Sequence, residues 1–375
     1  LRITSVRSPN GSRTPETPDA GGVARLESEI KVFAESAPRQ TSQRWQGVRE
    51  RCADGGPALT ELIDAAEASD GGKYLRPQLV AAAFLGLGGN DPHLLGEVAG
   101  AMQLLHVGLC IHDDIIDGDR MRHGRANLIA RVAEAGRTAG LSAADADRQA
   151  TAAGMLAGDL TLNAALLALL TVSAPGDVRL RLATETASAL ERTIAGELID
   201  VRSEVTPPEQ AEPLRIAELK TACYSVALPL RLGAIAAGVT SESVLDRLHS
   251  IGIALGIAYQ LVDDDLGLFG SAARTGKSVL SDVQRGKRTE HIREAYSRSD
   301  ASDREVLDRL LGFAEATEDD VSAVREIVSR TGARDAVLRT VDEHLERGIL
   351  LAQACPAALA GHLTRLARGM RERTR

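Results

Sequence analysis

Apolar residues recur at helical spacing along almost the whole chain. Leu59, Leu62, Ile63 and Ala66 fall on one helical face, and Leu79, Ala82, Ala83 and Leu87 on another. No run of alternating strand residues appears. Punctuation falls near Ser69-Asp70-Gly71-Gly72, Gly88-Gly89-Asn90-Asp91-Pro92 and Ala139-Gly140-Leu141-Ser142, and again at Val205-Thr206-Pro207-Pro208 and Ser297-Arg298-Ser299-Asp300. These breaks divide the chain into about a dozen helical segments joined by short loops. Residues 1–22 are rich in Ser, Pro, Thr, Arg and Gly, lack periodicity and are expected to form a disordered tail. Residues 23–375 are expected to form a single all-α domain, a helix bundle.

Composition narrows the class. Ala, Leu, Arg and Glu, all good helix formers, dominate a chain that is 44% apolar and 26% charged. The formal net charge of −8 argues against general nucleic-acid binding. Cys52, Cys110, Cys223 and Cys355 show no paired spacing and read as reduced thiols, which points to a cytoplasmic protein. No uninterrupted apolar run looks long enough to span a bilayer, so no transmembrane segment is expected; the longest candidate is Leu162–Ala174.

Two aspartate clusters change the picture. Asp113-Asp114-Ile115-Ile116-Asp117 and Asp263-Asp264-Asp265 each follow an apolar, helix-like stretch. Carboxylates in such company are costly unless a cation binds them. On a helix, Asp113 and Asp117 share a face. Two such faces opposed would form an oxygen-rich cage for Mg²⁺ shared with a phosphate ligand. One acidic string alone more often marks a solvated helix face. The basic company weighs against that: Lys73 and Arg76 follow the Gly71-Gly72 turn, Arg120 and Arg122 follow the first cluster, and Lys220-Thr221 begins another helix-like segment. Thr275-Gly276-Lys277-Ser278 and Arg285-Gly286-Lys287-Arg288-Thr289 follow the second cluster.

Taken in order, these strings resemble the polyprenyl synthetase family, the trans-isoprenyl diphosphate synthases, and in particular actinobacterial geranylgeranyl and polyprenyl diphosphate synthases. Ala157-Gly158-Asp159-Leu160 and Gly196-Glu197-Leu198-Ile199-Asp200 belong to the match, which spans roughly Gly71 to Thr289. The resemblance implies an isoprenoid-synthase helix bundle with a central active-site cavity, working as a homodimer. It implies condensation of isopentenyl diphosphate with an allylic diphosphate in the 1'-4 trans mode, with three Mg²⁺ per site. Asp113 and Asp117, supported by Asp114, would hold metal from one side; Asp263, supported by Asp264, would do so from the other. Arg122, Lys220, Lys277 and Lys287 would neutralise the allylic diphosphate, while Gln260 and Thr221 would add hydrogen bonds. Lys73, Arg76 and His106 match positions that bind isopentenyl diphosphate, and His123 stands where a second Arg contact is usual.

Four departures stand out: His123 for Arg, Glu197 for Gln, Gly267 for the last Asp of the second cluster, and Asp282-Val283-Gln284-Arg285-Gly286-Lys287 for the usual Asp-Leu-Arg-Glu-Gly-Lys. Where the family blocks its product tunnel with an aromatic side chain, this chain has Gly108 and Leu109. Space at Gly108 would let the product reach about twenty carbons or more. Two other readings use the same strings: a terpene cyclase or diphosphate lyase on this fold, and a non-catalytic partner subunit of a prenyl synthase. Retention of Lys73, Arg76 and His106, and an aromatic content of 2%, weigh against the cyclase. Retention of Asp113, Asp117 and Asp263 weighs against the partner subunit.

Overall fold

The computed structural model describes residues 20–270 and 280–373. Most of the expected 1–22 tail, and Lys277, lie outside that range. The first helix, α1, spans Ala20–Arg51, and so begins just before the periodic pattern does. It is followed by α2 (Gly56–Glu67), α3 (Leu75–Gly86), α4 (Pro92–Ile116), α5 (Leu128–Thr138), α6 (Ala143–Leu170) and α7 (Gly176–Ser203). Three consecutive stretches, Pro213–Ile216, Ala217–Ala227 and Leu228–Ala236, run on as one rod, α8. The remaining helices are α9 (Glu242–Phe269), α10 (Ser281–Arg285), α11 (Glu290–Arg298), α12 (Ala301–Leu310), α13 (Glu318–Arg330), α14 (Ala333–Ala352) and α15 (Ala357–Glu372). Among the described residues, the strand content is one antiparallel hairpin, Met121–Arg122 with Arg125–Ala126. The all-α expectation therefore holds.

Local chemistry sets the boundaries. Asp91 caps α4 by accepting from His93 N at 2.9 Å and Leu94 N at 3.1 Å, with Pro92 in the first turn. Asn127 caps α5, Ser142 caps α6, and Thr317 with Asp320 forms a capping box on α13. The main core is built around α4, α8 and α9, with Leu104, Leu105, Leu230, Leu255 and Leu261 all fully buried. A smaller cluster under α10–α13 joins Leu268, Val283, Ile292, Leu307 and Val324.

The sequence segment at Lys220-Thr221 is not a helix start. It lies mid-rod in α8, where residues 217–227 adopt wider π-type turns. Gly252 and Gly256 of α9 let this stretch approach closely: an added Cβ would stand 2.3 Å from Ala227 Cα and 2.4 Å from Ala222 Cα.

The expectation that no segment is long and apolar enough to span a bilayer is corrected. The helices α4 and α6 both meet the length and hydropathy requirement, at mean hydropathy 1.6. Ala and Gly, with isolated polar residues between them, sustain an apolar average that a search for uninterrupted runs misses. The apolar window of α4 is 83% buried within the protein, as a core helix requires; that of α6 is 44% buried.

Candidate active site

One cavity of about 990 Å³ opens between α3, α4, α7, α8, α9 and α15. On the α4 side, Asp113 and Asp117 are one turn apart, and the helix ends at Asp117, whose N–H donates to Asp113 O at 2.8 Å. Both line the cavity. Asp114 points elsewhere: it is buried and accepts from Arg122 Nε at 2.7 Å, and it borders a small neighbouring pocket rather than the cavity. Arg122 also donates to Asp113 Oδ2 at 2.8 Å. The paired carboxylates hold the Arg122 guanidinium fully charged, overriding its burial.

A third carboxylate joins this wall. Glu197 on α7 brings an oxygen near those of Asp113 and Asp117, and all three ligand atoms lie within 4.8 Å of one another. Gly196 permits the approach, since an added Cβ there would stand 2.3 Å from Lys220 N. Lys220 Nζ lies 2.9 Å from Glu197, 2.7 Å from Asp200 and 3.5 Å from Asp113. Burial alone would depress the Lys220 ammonium; the three carboxylates raise it instead. Burial pushes the Glu197 carboxyl up, against the pull of Lys220. Asp117 is buried too, yet its carboxyl is held below the ordinary range because Lys287, at 3.5 Å, and Arg285 outweigh desolvation. Arg285 also reaches Glu204 at 3.3 Å.

On the α9 side, Asp263 and Asp264 line the same cavity. Asp263 Oδ1 accepts from Arg373, just beyond α15, at 3.0 Å. Burial raises its carboxyl despite that partner. The Asp264 carboxyl is pushed up to about 7, first by burial and then by the neighbouring Asp282. A short relay holds it: Thr221 Oγ1 donates to Gln260 Oε1 at 2.7 Å, and Gln260 Nε2 donates to Asp264 Oδ1 at 2.8 Å. Asp265 faces away and ties α9 to α11 and α14 through His291 at 3.3 Å and a two-point contact with Arg334 at 2.8 and 3.0 Å.

The third wall carries the residues expected to meet a second anion. Gly71, Gly72 and Tyr74 all have positive φ, which turns the chain sharply before α3. Asp70 stabilises this turn, accepting from Gly71 N at 2.8 Å, Gln103 Nε2 at 2.7 Å and Tyr74 OH at 3.1 Å. Lys73 stands exposed at the cavity mouth. Arg76 donates to Ser225 Oγ at 2.8 Å and lies 5.7 Å from the centre of the Tyr224 ring. His106 stacks on Tyr224 with ring centres 6.2 Å apart. Burial first, then Arg76, holds its imidazole well below the usual range, so it stays neutral. His123, with φ 53°, sits exposed against Gly72.

Every described residue named from the sequence as a metal or substrate contact therefore borders this cavity, except Asp114. Sequence reasoning gave no metal or substrate role to Glu197, Asp200, Asp282, Arg285 or Arg373. The string Gly196-Glu197-Leu198-Ile199-Asp200 was the available signal for the first two. The space expected at Gly108 is filled: an added Cβ would stand 2.9 Å from Leu162 Cδ2 and 3.2 Å from Leu162 N, because α6 packs directly on α4 there. Leu109 and Cys110, not Gly108, line the cavity.

The donor set fits a hard divalent cation. It consists of carboxylate oxygens, buried enough to need compensation, on two helices facing one space. Comparison with known proteins agrees. The farnesyl diphosphate synthase of Mycobacterium tuberculosis is 31% identical over 283 residues, covering 74% of this chain and 72% of the relative. A geranylgeranyl diphosphate synthase of the same organism is 30% identical over 284 residues, 75% of each. The crystal structure of geranylgeranyl pyrophosphate synthase from Corynebacterium glutamicum, complexed with isoprenyl diphosphate and magnesium, superposes with a TM-score of 0.83 at 27% identity, covering 91% of this chain and 98% of that one. The polyprenyl synthetase family model matches residues 58–328, and the chain belongs to that family.

Proposed function

We propose that this protein condenses isopentenyl diphosphate with an allylic diphosphate in the 1'-4 trans mode. The observation that carries the reading is one cavity that holds both aspartate clusters together with Lys73, Arg76 and His106. Mg²⁺, three ions by analogy with the family, would be held by Asp113, Asp117 and Asp263, and would neutralise the departing diphosphate. Lys220 and Lys287 add fixed positive charge where negative charge develops; Lys277, given the same role by the family resemblance, lies outside the described residues. Thr221 and Gln260 orient the polar end of the allylic substrate. Lys73 and Arg76 hold the second diphosphate at the mouth, and neutral His106 offers a hydrogen bond without adding charge. The allylic C–O bond breaks and its electron pair leaves with the diphosphate. The isopentenyl double bond attacks the resulting cation, and the adjacent carbon loses a proton to the released diphosphate. No described protein group is placed as a nucleophile.

Retention of Lys73, Arg76 and His106 in the cavity favours condensation over cyclisation. The α4 residues along the cavity before Asp113 are Cys110, Leu109, His106 and Gln103. Leu109 and Cys110, rather than a bulky aromatic side chain, stand in the turn before Asp113, which supports a product of about twenty carbons or more, although Gly108 no longer contributes to that argument. Incubation with Mg²⁺, labelled isopentenyl diphosphate and each allylic primer in turn is the test. Chain-extended diphosphates are expected. Absence of isopentenyl consumption overturns the activity, and arrest at fifteen carbons overturns the length.

We also propose a homodimer through α6 and α7. Ile194, Leu198, Val201 and Val205 form an exposed apolar stripe at helical spacing, beside exposed Met155, Leu156, Leu167 and Leu170. An apolar helix that is less than half buried needs a partner, and a second copy presents the same face. Ile194→Glu with Leu198→Glu should yield monomer in sedimentation; an unchanged dimer would move the interface elsewhere. Four free thiols among the described residues support a reducing, cytoplasmic setting.

A further inference from the structure

We propose that Arg285 is a positioning residue for Asp117: it holds one carboxylate oxygen from outside the cavity and leaves the other to the cavity. This rests on the reading that the cavity binds divalent metal and diphosphate. Asp117 ends α4 and Asp113 stands one turn before it, so both charges sit at the helix end where the peptide dipoles already place negative charge. Glu197 adds a third carboxylate to the same wall. Such a wall needs cations, and two reach Asp117, one at each oxygen. Lys287 borders the cavity, with Nζ 3.5 Å from Asp117 Oδ2. Arg285 pairs with Oδ1 and lies outside the cavity lining. The same guanidinium nitrogen lies 3.3 Å from Glu204, just beyond α7, so Arg285 ties the end of α4 to the end of α7.

The turn that carries Arg285 is fixed independently of the acidic wall. Val283 is buried in the smaller core cluster, and its carbonyl accepts from Gly286 N at 3.0 Å and Gly312 N at 2.9 Å. Gln284 Nε2 donates to Ala316 O at 2.9 Å. Gly286, at φ 73°, reverses the chain, and Arg288 then donates to Thr206 O at 3.0 Å and to Gly286 O at 2.7 Å. The guanidinium is thus presented from a preorganised mount, so the contact orients Asp117 rather than following it. Where the family strings have Glu at this place and Gln at 197, this chain has Arg285 and Glu197. One added carboxylate in the wall is matched by one added cation behind it. Because that cation lies outside the lining, it can stay on Oδ1 while metal takes Oδ2.

Positioning has a sign that competition and simple bracing do not share. Mn²⁺ binding in the presence of inorganic pyrophosphate, measured by electron paramagnetic resonance and calorimetry, is compared across wild type, Arg285→Lys and Arg285→Gln, with folding checked by circular dichroism. Arg285→Gln should lose about 10- to 100-fold in Mn²⁺ affinity, the usual cost of removing a group that orients a ligating side chain. Arg285→Lys should fall between the two, because the charge returns without the planar donor set of the guanidinium. In turnover, the half-saturating Mg²⁺ concentration should rise by a similar factor, while kcat at saturating Mg²⁺ changes less. Tighter Mn²⁺ binding in Arg285→Gln overturns the proposal, since it makes Arg285 a competitor of the metal. Unchanged Mn²⁺ affinity with a lowered melting temperature overturns it too, since the contact is then only a brace. If Arg285→Gln does not fold, Arg285→Lys carries the comparison, and affinity equal to or above wild type overturns the proposal. A wild-type protein that binds no Mn²⁺ would instead sink the metal-dependent reading of the cavity itself.

Discussion

The acidic wall on α4 and α7 and the acidic wall on α9 use the same functional group under different electrostatic control. On the first, Asp113, Asp117 and Glu197 stand among Arg122, Lys220, Arg285 and Lys287, and the Asp117 carboxyl is held low despite burial. On the second, Asp263 and Asp264 are both pushed up by burial, with Arg373 and the Gln260 amide as described partners. The first wall holds the Asp117 carboxyl ionised without metal. The second wall would release a proton from Asp264 on binding metal. On the proposed reading, a cation entering the cleft would displace internal ammonium and guanidinium groups on one side and a proton on the other, so the two walls should respond differently to mutation and to pH.

The largest difference should appear on removing Asp113. Asp113→Ala should lower turnover by about 10³-fold or more, the scale of losing a preorganised electrostatic contact, with helicity unchanged by circular dichroism. Labelled isopentenyl incorporation measures it. Substantial residual activity would remove Asp113 from the metal site.

Lys220 offers the next test, because it belongs to the metal-free architecture as well as to the proposed substrate site. Its ammonium is mostly buried against Glu197, Asp200 and Asp113. Lys220→Ala leaves those carboxylates uncompensated, which should cost about 3–5 kcal/mol of stability. Added Mg²⁺ should restore part of the loss in thermal melts, since it takes up the same charge. A variant as stable as wild type without metal would show that the first wall does not depend on this internal cation.

How much of this was readable in the chain differs between the walls. Asp113 and Asp117 were legible because an i, i+4 acidic face inside an apolar helix asks for a cation, Asp263 because it opens a second acidic run after an apolar stretch, and Lys220, Thr221 and Gln260 because their strings match those of the family in order. Glu197 was visible only as a departure from a motif. Its meaning came from Gly196, which lets α7 lie against Lys220, a tertiary fact that periodicity does not carry. Gly108 misled for the same reason: a missing side chain is open space only if no neighbour fills it, and Leu162 does. The π-type turns of α8 shift the register of Lys220 and Tyr224 without any local composition signal. Arg285 and Arg373 pair with aspartates more than a hundred residues away, so nothing near them in sequence announces the contact.

The proton on the second wall gives a smaller, graded effect. Asp264, pushed up to about 7, is protonated in the folded metal-free protein below that pH. Metal competes with this proton, so the apparent Mg²⁺ affinity should rise with pH up to about 7 and then level off, by at most about tenfold per unit if one proton is released. The linkage to folding runs the opposite way. A carboxyl raised in the folded state contributes stability that is fully present below its unfolded pKa and is lost as pH rises through about 7. Asp264→Asn should therefore stabilise the metal-free protein at pH 8 and flatten the pH dependence of Mg²⁺ binding. Calorimetry in buffers of different ionisation enthalpy counts the proton directly; no proton uptake by buffer at pH 6.5 would place this titration elsewhere.

Arg373 should give the smallest change and the sharpest contrast with Lys220. Its pair with Asp263 is about two-fifths exposed on both sides. Solvent screening limits such a contact to about 0.2–1 kcal/mol, so Arg373→Ala should barely move the melting temperature. Its guanidinium nevertheless lies 3.0 Å from Oδ1 of Asp263, a carboxylate proposed to hold metal. If metal must displace it, removing Arg373 should tighten Mn²⁺ binding about two- to fivefold, a shift of the same order as the lost pair. Lys220→Ala and Arg373→Ala then differ in kind: the first removes a cation that the buried wall needs in order to stay folded, the second a partly solvated competitor. Weaker metal binding in Arg373→Ala would reverse that assignment and make Arg373 a supporter of the loaded site, holding Asp263 in place from the end of α15.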